Sequence, residues 1–211
     1  MTLAPAGAGL IALLAACASS GPAAPGASHA SPGGAGPAPA AGQSPATGQA
    51  PVPTESNPPG DIPDTTVYVP YQSAAGHFQL RVPEGWSRST TASSSTFSSN
   101  LNSITAAWMP MAAAPSVSAA RSVTIPALRA HTLAFRLQSI RSVPLAGGTA
   151  IEIVFQVNSS PNSVTGRQYR LVIERFELQR AGRGAILSLS SAVGSDNVDP
   201  WRIVSESFRW M

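Results

Sequence analysis

Apart from one short run near the amino terminus, every apolar segment with a strand or helix period lies after Thr66. Between Ala18 and Thr65 the chain is Pro, Ala, Gly, Ser, Thr and Gln with few bulky apolar residues. Such a segment cannot bury enough surface to offset its conformational entropy, so disorder is expected there. Residues 66–211 must therefore supply the core. A segment of about 145 residues buries roughly two-thirds of its unfolded surface, enough for one domain. Charge divides at the same place. Residues 1–65 carry only Glu55, Asp61 and Asp64, whereas residues 66–211 hold all 13 basic residues, every one Arg, and 7 acidic ones, a net +6. Single Arg residues alternate with apolar ones and never form a run. That reads as the solvated face of a sheet, and no nucleic-acid partner is expected.

Within the head, strand signals dominate. Thr66 to Pro70 is a short extended run, and His77 to Val82 alternates Phe78, Leu80 and Val82 against polar neighbours. A Ser/Thr-rich segment follows Trp86, then Leu101 to Met109 reads as a strand. The spacing of Leu128, Ala130, Leu133 and Ala134 predicts a short helix from Pro126 to Phe135. Arg136 to Val143 and Ala150 to Val157 flank the turn signal Gly147-Gly148, and Arg167 to Gln179 and Ala185 to Ser191 flank a second one at Arg180 to Gly184. Asp199 and Pro200 read as N-cap and first residue of a helix through Glu206, with Trp201, Val204 and Phe208 as its apolar face.

The single cysteine, Cys17, ends the one early apolar run, Leu10 to Ala16. That run is too short to span a bilayer but has the length of a signal-peptide core. Leu14-Ala15-Ala16-Cys17 resembles the lipobox of bacterial lipoproteins. The resemblance implies a signal peptide over residues 1–16, a diacylglyceryl group on Cys17 and cleavage before it. Residues 1–9 contain no Lys or Arg, so the usual basic region is reduced to the amino-terminal amine. Residues 17–65 then form the lipidated cysteine and its tether. At roughly 5–6 Å × √n, Ala18 to Thr65 gives an end-to-end distance of about 40 Å.

Phe78 to Trp86 (FQLRVPEGW), Ser195 to Arg202 (SDNVDPWR), Ser207 to Trp210 (SFRW) and Thr165 to Arg167 (TGR) resemble the PsbP-like family. This is the sandwich shared with Mog1, and the likeness is nearer still to a group of actinobacterial lipoproteins with no settled activity. It spans roughly residues 70–210. It implies an α+β fold, a central antiparallel β-sheet flanked by helices, over residues 66–211. It also implies a binding or assembly role.

No catalytic constellation stands out in the sequence. His77 and His131 are isolated, His29 lies in the tether, and none has zinc-ligand spacing, so no metal or cofactor is expected. Glu174 and Glu177 are three apart, so on a strand they face opposite sides. Asp196 and Asp199 offer too few oxygens for a calcium loop, although with Arg202 they also read as an exposed ligand site. Trp108, Trp201, Tyr169 and Arg170 are either the lining of a ligand cleft or core and rim. Two functions fit. One is a non-catalytic binding or accessory module, lipid-anchored to the outer face of the cell membrane and holding an envelope protein or a small apolar ligand. The other is an enzyme acting on a cell-wall or lipid substrate through an unrecognised site.

Overall fold

The structure, a computed structural model, describes residues 48–55 and 60–211. Leu14, Ala15, Ala16, Cys17 and His29 lie outside the described residues, and with them the signal-peptide and lipidation readings.

Among the described residues ten strands form two antiparallel sheets. The small sheet holds β1 (Tyr68–Ser73), β2 (Phe78–Pro83) and β10 (Arg209–Trp210), in the order β1-β2-β10. The large sheet comprises β3 (Ser87–Thr90), β4 (Ser94–Ser99), β5 (Asn102–Pro110), β6 (Leu133–Leu145), β7 (Gly148–Asn158), β8 (Arg170–Arg180) and β9 (Arg183–Ala192). Its order is β3-β4-β5-β9-β8-β7-β6. The helices are α1 (Val117–Ala119), joined through a wide π-type turn to α2 (Ile125–His131), and α3 (Val198–Glu206).

Period-two alternation builds two cores on opposite faces of the large sheet. Phe78, Leu80 and Val82 of the small sheet meet Ile104, Phe176, Leu187 and Leu189 of the large one, and α3 adds Trp201 and Val204. On the other face Ile151, Ile153, Phe155 and Val157 alternate with these and pack on Ala120 and Ile125 of the α1–α2 segment. The two expected hairpins form. Ala181 and Gly182, both at positive φ (51° and 79°), make the two-residue turn between β8 and β9 that the strand twist favours. At the β6–β7 tip, a Cβ on Gly147 would lie 2.5 Å from the Phe208 ring, so only glycine lets the turn close over that ring.

The Ser/Thr-rich segment after Trp86, to which the sequence reading assigned no element, is regular: β3 and β4 pair with each other and β4 with β5. Three expectations are corrected. The helix expected from Pro126 to Phe135 ends at His131, and helical backbone begins at Val117, where Ser116 caps it by accepting from Ala119 N–H at 3.1 Å. Leu133 and Ala134 already belong to β6, whose register shifts there while Ala134 sits at φ 51°. His77 is not in β2 but in the turn before it, at φ 54°. The N-cap position of α3 is Asn197, so Asp199 and Pro200 fall inside the first turn. Asn197 makes no side-chain cap hydrogen bond, because its buried amide is committed elsewhere. It donates to Gly60 O at 2.8 Å and Asn102 Oδ1 at 3.1 Å, and accepts from Ile62 N–H at 2.8 Å.

That last set shows that ordered contacts begin before Thr66. Asn102 also donates to Gly60 O at 2.7 Å, and Ile62 is 5% exposed. Further upstream the Asn158 amide grips the backbone, donating to Ala50 O at 2.8 Å and accepting from Val52 N–H at 3.0 Å. Glu55 pairs with Arg167 at 2.7 Å. A chain starting at Thr66 deprives these amides of their backbone partners and removes the Ile62 side chain from the core. It is expected to lose about 2–4 kcal/mol against a chain starting at Gly48, read from denaturant unfolding. Trp201→Ala is expected to cost about 3–5 kcal/mol. Asp199→Ala, no longer at a cap position, is expected to stay within about 0.5 kcal/mol.

Candidate functional site

Helix α3 places one face in the core and the other between two clefts. Trp201 and Val204 are buried beneath it, with Trp201 edge-on to Trp86 at 6.4 Å. Phe208, just past the helix, stacks on Phe78 at 5.2 Å. That anchoring turns Arg202, Ile203 and Glu206 outward, with Ile203 39% exposed.

The first cleft, about 480 Å³, lies between α3 and β2 and is lined by Gln79, Leu80, Arg81, Ile203, Glu206 and Arg209. Its wall is fixed by Ser207, whose hydroxyl accepts from Arg81 N–H at 2.7 Å and donates to Val204 O at 2.6 Å. The second, about 350 Å³, opens between α3 and β6–β8. Arg141, Glu152, Glu174, Arg202 and Glu206 supply its polar lining, over an apolar floor that includes Leu145 and Phe176.

Glu152 and Glu174 approach diagonally across β7 and β8, because Glu152 pairs with Phe176 and Val154 with Glu174. Arg141 grips Glu152 through both Nε and Nη2, the latter at 3.0 Å. Among the described residues Glu174 has no such partner, and its carboxyl is raised above the ordinary value. Burial is the main cause and the Glu152 charge adds to it, while Arg141 opposes both. A carboxyl that retains its proton more readily can donate as well as accept. The cleft can therefore hold a polar group at Glu174 and an apolar stem on Phe176.

The separation expected for Glu174 and Glu177 is present: Glu177 lies on the opposite face of β8, paired with Arg175 at 2.9 Å. What the sequence reading missed is Glu152. The 11-residue connection from Ser159 to Tyr169 does not set the β7–β8 register, so no local signal brings Glu152 beside Glu174.

The other expected site residues are dispersed. Asp199 pairs with Arg202 at 2.9 Å on the exposed side of α3, while Asp196 N–H donates to Asp61 Oδ1 at 2.9 Å. No cluster of three His, Cys, Asp or Glu able to hold a metal occurs among the described residues. Trp201 is core, and Trp108 lines a separate cleft of about 410 Å³ with His77. Tyr169 lies under the Arg167 guanidinium at 4.9 Å. Arg170 is buried and donates to Ala134 O at 2.8 Å and Asn158 Oδ1 at 3.1 Å. These four do not form one cleft. His131 ends α2 in an exposed position.

No family model matches the sequence, and no curated protein matches it either. The fold does have solved counterparts. The Saccharomyces cerevisiae Ran-binding protein Mog1p aligns over 69% of this chain and 96% of its own, with a TM-score of 0.50 at 9% identity. The cyanobacterial PsbP (CyanoP) of Synechocystis aligns over 72% of this chain and 98% of its own, with a TM-score of 0.47 at 12% identity. The chain thus has the antiparallel α+β sandwich fold of Mog1p; at such identity the likeness is one of fold alone.

Because the folded carboxyl is raised, ionising Glu174 costs stability as pH climbs from its ordinary value of 4.5. Below that value the group is protonated in both folded and unfolded chains, and the cost vanishes. Glu174→Gln is therefore expected to raise the melting temperature at neutral pH, with the gain fading as pH falls toward 4.5. Paired melts of both proteins across that range check the sign.

Proposed function

We propose that this chain is a non-catalytic binding or accessory module, carried on the outer face of the cell membrane by lipid on Cys17. Its α3 edge holds an envelope protein or a small apolar ligand. The observation that carries the binding reading is the pair of open, half-polar clefts on either side of a helix whose other face is locked into the core. Such clefts, with a few convergent polar groups over an apolar floor, are where ligands and partner side chains are held. The sandwich of a Ran-binding protein has the same fold, which accords with a protein partner. The anchoring reading rests on Leu14-Ala15-Ala16-Cys17 at the end of its apolar run.

An enzymatic reading draws on one feature, the raised Glu174 carboxyl beside Glu152, since tuned carboxylates recur where protons are moved. Binding is favoured because Arg141 neutralises Glu152, and Arg202 lies paired with Asp199.

Two experiments test the proposal. Cys17→Ser removes the sulfur that would carry the lipid. Two or three acyl chains, at about 0.8 kcal/mol per buried CH₂, hold a protein on a membrane, so this variant is expected in the aqueous phase of a detergent partition. Equal membrane retention of both forms would refute the anchor. A photoreactive residue at Ile203, between the clefts, is expected to capture a discrete partner in intact membranes. The same probe at Val123, exposed on the far side of the large sheet, is expected to capture none. Identical labelling from the two positions would remove α3 from the binding surface.

A further inference from the structure

The large sheet has a second outward surface, remote from α3. The α1–α2 segment packs against the apolar residues of β6–β8, and beside it the same face of β3, β4, β5 and β9 is paved with hydroxyls. Register places them in two rows across the four strands. One row runs Ser89, Thr96, Thr105, Ser188, and the other Ser87, Ser98, Ser103, Ser190. Their chain neighbours Ser95, Phe97, Ile104, Leu187 and Leu189 point the opposite way and are buried. The second row ends in a cleft of about 310 Å³ where Ser98, Ser103 and the largely buried Ser190 (7% exposed) meet Asn162, Leu171 and Tyr169, one face of whose ring is covered by Arg167.

We propose that this face binds a neutral, hydroxyl-rich polysaccharide strand, with one sugar ring seated in the Tyr169 cleft. The proposal is independent of the α3 reading. Each hydroxyl offers one donor and two acceptor lone pairs, so even Thr96 and Thr105, bonded to each other at 3.0 Å, keep capacity for a ligand. Neighbouring strands lie about 4.8 Å apart, so each row sets one hydroxyl residue per strand on a common face as a series of two-way hydrogen-bonding groups. Charge is balanced at its margin: Arg175 pairs with Glu177 at 2.9 Å and Arg167 with Glu55 at 2.7 Å. With these marginal charges paired, the face suits a neutral polymer, although the head carries a net positive charge. A protein partner is the poorer fit, because the rows present no aromatic or arginine anchor of the kind that dominates protein interfaces. Ser and Thr also lose little rotamer entropy on binding, unlike the long charged side chains of an ordinary solvated face.

The test is binding of the full chain, kept in detergent, to immobilised dextran, mannan and arabinogalactan, with heparin as the anionic control. Binding to at least one neutral polymer is expected. Thr96→Val with Ser103→Val keeps strand propensity but removes two central hydroxyls, and should weaken that binding about tenfold or more. Tyr169→Ala, outside the rows, should weaken it too, and serves if the double variant does not fold. Amide exchange with the polymer present should slow in β4, β5 and β9. Absence of binding to every neutral polymer, binding to heparin alone, unchanged affinity in the folded variants, or protection confined to α3 would each overturn the proposal. Only the last would leave the α3 clefts as the occupied site.

Discussion

The stack of Phe208 on Phe78 joins the parts of this fold that the chain order keeps apart. Phe78 opens β2 in the small sheet, and Phe208 leaves α3 at the other end of the head. Trp210 then meets Phe208 edge-on at 5.2 Å, while β10 pairs with β2 through Trp210 and Phe78. Gly147 lets the β6–β7 tip close onto the same ring. One aromatic cluster thereby fixes small sheet, large sheet and helix together, and both clefts beside α3 inherit their shape from it. Aromatic pairs contribute about 0.5–1.5 kcal/mol beyond their burial, so the joint gives orientation as well as stability.

A second constraint comes from amides rather than rings. Asn102, Asn158 and Asn197 are each at most 4% exposed, and each grips chain upstream of Thr66. A buried amide without partners would cost about 1–3 kcal/mol, so these residues and the segment they hold are interdependent. The Pro-rich composition of that segment argues against a helix or sheet interior, yet its backbone is well suited to pairing with side-chain amides. This is why a composition argument placed the domain boundary too late. Low hydrophobicity shows that residues 48–65 cannot form a core, but not that they cannot be held by one.

Legibility elsewhere followed the same physics. Apolar periodicity found β2, β5 and the strands of both large-sheet hairpins, and it identified Trp201, Val204 and Phe208 as one buried face. It failed for β3 and β4. There only Phe97 is large and apolar, and hydroxyl residues fill both faces, Ser95 even when fully buried and bonded to Tyr71 Oη at 2.7 Å. Strand propensity of Thr and Ser is too weak a signal without apolar alternation. The Glu152–Glu174 approach and the hydroxyl rows were illegible for a different reason. Both arise from register between strands, which no local pattern in this chain specifies.

The buried charges separate scaffold from site. Among the described residues Arg170 has no carboxylate in contact, and burial and Arg136 both lower its proton affinity. Its guanidinium donates to Ala134 O at the β6 irregularity and to Asn158, the residue that grips Ala50 and Val52. Those acceptors are part of the protein's own frame, so this cation closes a backbone irregularity and orients an amide clamp, while its buried Nη2 finds no partner among the described residues. Glu174 is arranged in the opposite way. It faces a cleft rather than a carbonyl, its neighbour Glu152 is already gripped by Arg141, and the nearby Arg202 is engaged with Asp199. Arg170 is thus directed wholly at the protein's own backbone and amides. Glu174, with no ion-pair partner of its own among the described residues, opens instead on a cleft with an apolar floor, where its carboxyl is accessible to a group from outside.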